Sequence, residues 1–447
     1  MNIDNDEKII RDALNTIYTK DSDIHSNLKR RIYKRKGKPF RKAIIGGCIA
    51  VLSAAICVPV MAEKIPSFKN LLLYINNGFE SLIQPVELVS ADNGIKMEVV
   101  GAMNDSEMAV VYITIQDLEG NRVDETIDLY DSYRLTGGRS FTSEVVNYDE
   151  NSRTATIRIQ VNGGKKLSGK ELEFSFREFI SGKKVIDTMI NREILYSGLE
   201  YGNINTISLD MDNIPGGGGR LFEEYKNMGI IKVLKPDEKK IIIPDVDFMY
   251  ISNMGVIDGR LHVQTKWSEK GIDNHGYFYF TDKLGNELDV EQGNVYFGID
   301  DNGNTTYGRE YVEYIYDISQ LNLSNINLKA YMVYNENHTQ GNWKARFKIE
   351  PVDEKKIKCN IEDGQGVIEN LIISPLGVVL ETKGTEVDVP SIEITMVDGT
   401  KISLEQSIGH NDSGEGRKKF IAAHPLDISK IKVISVNGNI VPSNLEK

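Results

Sequence analysis

Apolar positions change their period along this chain. In the first 42 residues Ile9, Ile10, Ala13, Leu14 and Ile17 recur at three and four, behind an Asp4-x-x-Glu7 pattern of the capping-box kind, and predict a short amphipathic helix. A second candidate starts near Asp21 and aligns Ile24, Leu28 and Ile32 in one stripe. Residues 43–62 then run for twenty positions without a charge, apolar on every side, the length of a bilayer-spanning helix. Beyond Pro66 helical spacing returns at Phe68, Leu71, Leu72, Ile75, Phe79 and Leu82. That helix either lies along the outer leaflet or covers the first β domain, and Asn76, Asn77 and Glu80 favour the second by offering lipid few cations.

From residue 95 the period becomes 2. Ile95, Met97 and Val99 alternate with Lys96 and Glu98, Asn104-Asp105 supplies a turn, and Val111, Ile113 and Ile115 resume, which reads as an antiparallel hairpin. The turn Asp117-Leu118-Glu119-Gly120-Asn121 returns as Asp282-Lys283-Leu284-Gly285-Asn286 and more faintly as Asp398-Gly399-Thr400. Asp317-Ile318-Ser319 and Asp427-Ile428-Ser429 each precede a final strand. A repeated β-sandwich module explains this order, with the turns as hairpin chemistry rather than catalysis. The expected fold class is mainly β: tandem immunoglobulin-like sandwiches behind one transmembrane helix and a short helical arm. Charged hinges at Pro236-Asp237-Glu238-Lys239-Lys240 and Asp353-Glu354-Lys355-Lys356 set the cuts. The segments are an arm over 1–42, a membrane helix over 43–62, and a juxtamembrane helix and linker over 63–90. Three β domains follow over 91–236, 237–353 and 354–447.

Charge sharpens the membrane reading. Residues 1–42 carry a net +6 and the remainder −18, and nine cations from Lys29 to Lys42 precede the apolar run with no acid among them. Positive flanks stay on the cytoplasmic side, so the amino terminus is expected inside and the carboxyl terminus outside. An anionic inner leaflet accounts for the basic stretch better than nucleic acid does. A secretory signal peptide competes, since Val60 and Ala62 form a small-x-small pattern ahead of Glu63, but a 42-residue leader with helical patterning argues for a retained arm. The same pair is a candidate cleavage signal. Only three cysteines occur, Cys48 and Cys57 in the apolar run and Cys359 far downstream, so no internal disulfide staples the β part.

Candidate chemistry is sparse. The six histidines show no metal-binding spacing, and no catalytic residue, metal site or cofactor is expected. Four glycines at 216–219 lack a phosphate-loop ending and read as a plain, mobile loop. Asp300, Asn302 and Asn304 start like a calcium loop, but Thr305 and Tyr311 stand where glycine and glutamate belong. Trp343, Ala345, Phe347 and Ile349 alternate with Lys344, Arg346 and Lys348; those cations form a solvated face or a grip for an anionic wall polymer.

Asp92-Asn93-Gly94-Ile95-Lys96-Met97-Glu98-Val99-Val100, followed by Val110-Val111-Tyr112-Ile113-Thr114-Ile115-Gln116-Asp117, resembles the opening of domain of unknown function family 4179. By motif and order of parts the resemblance covers residues 1–180. It implies a membrane-anchored anti-sigma regulator of Firmicutes, with the later modules resembling companion immunoglobulin-like domains. The arm has no zinc-type His/Cys motif, so a cytoplasmic sigma-factor contact falls to Ile9, Ile10, Leu14 and Ile17. A 42-residue arm buries little surface alone, so its stripes pack on each other, lie on the bilayer or dock on a partner. The expected function is sequestration of an extracytoplasmic-function sigma factor in response to an unknown envelope ligand, with no direct nucleic-acid contact. The alternative is a membrane-tethered surface-binding or adhesive protein with no sigma-factor role.

Overall fold

A computed structural model describes residues 67–75, 78–163, 167, 171–199, 204–268, 271–363, 366–384, 389, 391–412 and 415–442. All lie in the compact unit Val58–Lys447. The arm with Ile9, Ile10, Leu14 and Ile17, and the apolar run with Val60 and Ala62, lie outside the described residues. Among the described residues no helix is long and apolar enough to cross a membrane.

The fold is mainly β, built from antiparallel sheets in an arrangement that fits a β-sandwich. Helix α1 (Ser67–Tyr74) comes first. The first sandwich has β1 (Gln84–Asp92), β2 (Ile95–Asn104), β3 (Met108–Asp117), β4 (Arg134–Leu135), β5 (Ser140–Asp149), β6 (Thr154–Asn162) and β7 (Leu172–Met189). The second sandwich includes α2 (Arg192–Leu199), β8 (Thr206–Asp210), β9 (Gly217–Gly219), α3 (Phe222–Met228) and β10 (Ile230–Leu234). Its main strands are β11 (Met249–Ile257), β12 (Arg260–Trp267), β13 (His275–Asp282), β14 (Gln292–Ile299), β15 (Thr305–Asp317) and β16 (Ile326–Phe347). The third has β17 (Lys355–Asp363), β18 (Gly366–Ser374), β19 (Gly377–Gly384), β20 (Ile392–Met396), β21 (Lys401–Leu404), β22 (Ser407–Asp412), β23 (Glu415–Ile421), β24 (Ile431–Val436) and β25 (Asn439–Pro442).

One strand plan recurs three times. A meander ends in β3, β12 or β19, the chain crosses to a second sheet at β4, β13 or β20, and it returns as a hairpin whose later strand, β6, β15 or β23, pairs with the meander's end. It then crosses again to β7, β16 or β24, which pairs with the earlier crossing strand. The acidic turns recur for a local reason. Asp117, Asp282 and Asp398 each accept the backbone N–H two residues on, the side-chain mimic of a turn. Asp300 does the same toward Asn302 and Asn304, so its loop is an Asx turn.

The hydrophobic clusters do not follow linear segments. Strands β7 and β16 pair antiparallel along nearly their whole length. Leu172, Phe174, Phe176 and Phe179 of β7 fill the first core, whereas Ile186 packs on the second. Conversely Leu328, Ala330 and Met332 of β16 fill the second core, and Trp343, Ala345 and Phe347 cross into the first. Each sandwich thus lends the other a strand. Trp343 is fully buried, stacks on Phe176 with ring centres 4.6 Å apart, and donates its indole N–H to the Ile95 carbonyl at 3.0 Å. Residues 190–199 and 204–234 pack with the second sandwich, where β8, β10 and α3 cover the outer face of its larger sheet through Leu209, Tyr225, Val233, Phe297 and Ile315.

Three of the four glycines are not a loop. Residues 217–219 form edge strand β9 on β14. A Cβ on Gly217 would sit 2.2 Å from the Asn294 carbonyl oxygen, and Gly219 has a φ of +87°, so glycine permits an approach that a side chain forbids.

Candidate functional site

Both faces of β2 and β3 are buried, which a sheet allows only where its outer face is covered. The inner face, with Ile95, Met97, Val99, Ala102 and Val111, fills the first core. A bulge between Val99 and Gly101 shifts the side-chain phase. Val100, Met103, Met108, Val110 and Tyr112 therefore point outward, where they cluster with Leu71, Ile75, Phe79 and Ile83. The expected helix through Leu82 is shorter, since α1 ends at Tyr74 and Phe79–Ser81 form a separate 3-10 turn, but Leu71 within it and Ile75, Phe79 and Ile83 after it do cover the first β domain. Gly101 makes the fit possible, because a Cβ there would lie 2.8 Å from Ile83 and 3.1 Å from Phe68. The same cluster takes Leu376 and Ile421 from the third sandwich. Each fully buried Leu, Ile or Phe side chain contributes about 1.5–3 kcal/mol.

Beside this apolar patch lies a buried ionic joint. The β2–β3 turn holds itself through Asp105 Oδ1, which accepts the Glu107 and Met108 amides at 2.9 and 2.7 Å. Its other oxygen, Oδ2, accepts Ser374 Oγ at 2.6 Å and the Lys419 ammonium at 2.5 Å, and both charged side chains are fully buried. Burial alone raises the Asp105 carboxyl, but the Lys419 charge and the hydrogen bonds of Lys419, Ser374 and the Met108 amide outweigh it and hold it below the usual carboxylate range. Alongside, Arg417 Nε donates to Glu107 Oε2 at 2.7 Å and Nη1 donates to Glu381, which also receives Lys356 and Asn370. The linker is stapled too: Val352 N–H donates to Asn104 O at 2.7 Å, and Glu354 accepts the Ser106 amide at 2.8 Å.

Satisfaction here is incomplete. Among the described residues, Asn104 Oδ1, Ser106 Oγ, Asn162 Nδ2 and Arg417 Nη2 are buried without a hydrogen-bond partner, and such groups carry a desolvation cost that well-packed apolar residues do not. Sequence reasoning missed Lys419 and Arg417, which look like surface cations in Arg417-Lys418-Lys419. Their signal is phase: at two-residue spacing both share a strand face with Ile421, and that face is apolar and covered. The stripe at Lys344, Arg346 and Lys348 is exposed as expected, and Arg346 pairs with Glu173 on β7.

A second buried polar group lies in the second sandwich. Glu313 accepts His262 Nδ1 at 2.6 Å, Gln264 Nε2 at 2.9 Å and the Leu234 amide at 3.1 Å. Gln264 also donates to the Leu234 carbonyl at 2.6 Å and accepts Ser252 Oγ at 2.8 Å. All four side chains are buried. The arrangement clamps β10 to β12 and β15, while the Tyr225 ring stands edge-on over His262 with centroids 6.5 Å apart. Among the described residues no group of His, Cys, Asp and Glu has the geometry to hold a metal ion.

No protein-family model and no curated protein matches the chain. Among solved structures, the crystal structure of the conserved domain protein from Bacillus anthracis aligns over 83% of this chain and 94% of its own, at 9% identity and a TM-score of 0.18. That likeness carries no argument about fold or function.

Proposed function

We propose that the chain is a membrane-anchored regulator whose amino-terminal arm sequesters a sigma factor and whose β part, read as tandem immunoglobulin-like sandwiches outside the cell, receives an envelope signal. The observation that carries the reading is the uncharged run at 43–62. It separates a +6 arm with amphipathic stripes from a −18 remainder, the charge order of a helix inserted with its amino terminus inside. The resemblance to domain of unknown function family 4179 supplies the anti-sigma role. The recurrence of one strand plan three times supports the tandem description.

Ile9, Ile10, Leu14 and Ile17 then form the partner face, as a helix laid into a groove of the sigma factor. Co-purification with a sigma factor should disappear in the double variant Leu14→Asp, Ile17→Asp. Retained binding sinks the assignment. A second reading, a tethered surface-binding protein with no sigma-factor role, is favoured by the outer face of β13, β16 and β7. There Tyr277 is 46% exposed, stacks on Tyr331 at 5.3 Å, and shares the face with Val185 and Met189, an exposed aromatic patch of the kind used in recognition. Under that reading deletion of residues 1–28 leaves the phenotype unchanged.

A further inference from the structure

We propose that the third sandwich is a latch on residues 68–75 and 78–83, which follow the apolar run in sequence. The regulatory consequence rests on the membrane-anchored reading above; the latch itself rests on geometry. Seated, the third sandwich completes the cover of that segment: Leu376 and Ile421 share one apolar cluster with Leu71, Ile75, Phe79 and Ile83. At the segment's turn, Gly78 has a φ of +84°, and a Cβ there would lie 3.3 Å from Pro425 Cδ. The third sandwich is held in that place by side chains. Lys419 and Ser374 grip Asp105, and Arg417 grips Glu107. Among the described residues its strands β17–β25 hydrogen-bond in ladders only with one another.

Such a joint is suited to opening. Its buried charges hold one another in place but compensate their own desolvation poorly, and removing one partner strands the other. Its orphaned polar atoms, Asn104 Oδ1, Ser106 Oγ and Arg417 Nη2, regain water once the joint parts. The short chain between Val352, bonded to Asn104 O, and Lys355, where β17 opens, supplies the pivot once Glu354 releases the Ser106 amide. A signal that unseats the third sandwich therefore uncovers residues 71–75 and 78–83, without unfolding the first and second sandwiches.

Hydrogen exchange on the full chain in mild detergent tests this. In Lys419→Ala, Asp105 is left buried and unpaired; amides of residues 68–75 and 78–83 should exchange about tenfold faster or more, while the β7–β16 ladder keeps its protection. The double variant Asp105→Asn, Lys419→Met, which removes both charges but keeps a side-chain oxygen for the Glu107 and Met108 amides, should restore protection of that segment. Unchanged protection of residues 68–75 and 78–83 in Lys419→Ala overturns the latch. So does failure of the double variant to recover while the third core at Leu371, Phe420 and Ile434 stays protected. Should Lys419→Ala unfold that core, Arg417→Gln replaces it, with the same two outcomes deciding. A sigma-dependent reporter read in parallel separates the two claims: exposure with a silent reporter refutes the regulatory reading and leaves the latch standing, whereas a responding reporter without exposure does the reverse.

Discussion

Between the first and second sandwiches the joint is backbone: β7 and β16 run through both, and the aromatic stack of Trp343 on Phe176 sits where one sandwich's strand enters the other's core. Between the first and third the joint is side chains: Lys419 on Asp105, Arg417 on Glu107, and an apolar patch shared with α1. A ladder of amides does not change with protonation and dissolves only when strands separate. A carboxylate–ammonium contact answers to pH and to a single substitution. The first pair should therefore unfold as one cooperative unit, while the third sandwich can leave its seat and remain folded.

The sharpest way to break this contrast is at the shared strand. Trp343→Ala removes a fully buried indole whose neighbours belong to the first core and should cost about 3–5 kcal/mol. Denaturant midpoints read by probes in either sandwich should fall together. Separate transitions would show that the two are not one unit. Next comes the apolar half of the other joint. Leu376→Ala, at a fully buried position beside Met103 and Met108, should cost about 2–3 kcal/mol. The cost should appear as loss of docking, with the first and second sandwiches holding their midpoint.

Acid probes the same joint without mutation. The folded Asp105 carboxyl lies below its ordinary value of 3.8, so its stabilisation is complete above that value and is lost as pH falls through the lowered one. Small-angle scattering below pH 3.8 should show the third sandwich parting from the pair while far-ultraviolet circular dichroism holds. Unfolding of all three at once would erase the distinction. The smallest effect is expected at Glu224→Ala, which removes a two-pronged but half-exposed contact to Arg260. It should cost less than about 1 kcal/mol and leave both joints unmoved, as a thermal-melt comparison would show.

Local pattern carried much of this fold into view. The switch to period 2 near residue 95, the Asx turns and the alternation of Trp343 with Lys344 are all properties of neighbours in sequence. So is the apolar stripe at Leu71, Ile75 and Phe79, buried against the first β domain, although the helix its spacing predicts ends at Tyr74. What escaped was pairing at long range. Alternation says that one face of residues 343–349 is buried, but not in which core. The four glycines escaped because edge pairing was permitted by absent side chains rather than marked by present ones. Lys419 escaped because its partner is far away in sequence, and a lysine beside two other cations resembles any solvated face. The described residues do not reach Ile9, Ile10, Leu14, Ile17, Val60 or Ala62, so those assignments stand as proposals.

The strand exchange also imposes an order on synthesis. Ile95, whose carbonyl receives the Trp343 indole, precedes it by 248 positions, and contacts of such separation form late and slowly. While the chain is still emerging, the first sandwich lacks the indole that stacks on Phe176 and bonds the Ile95 carbonyl. It must wait, half-closed, until most of the second sandwich has appeared. The first domain is thus completed only after most of the second has been made, and a chain truncated before residue 343 should be a substrate for chaperones and proteases rather than a smaller working protein.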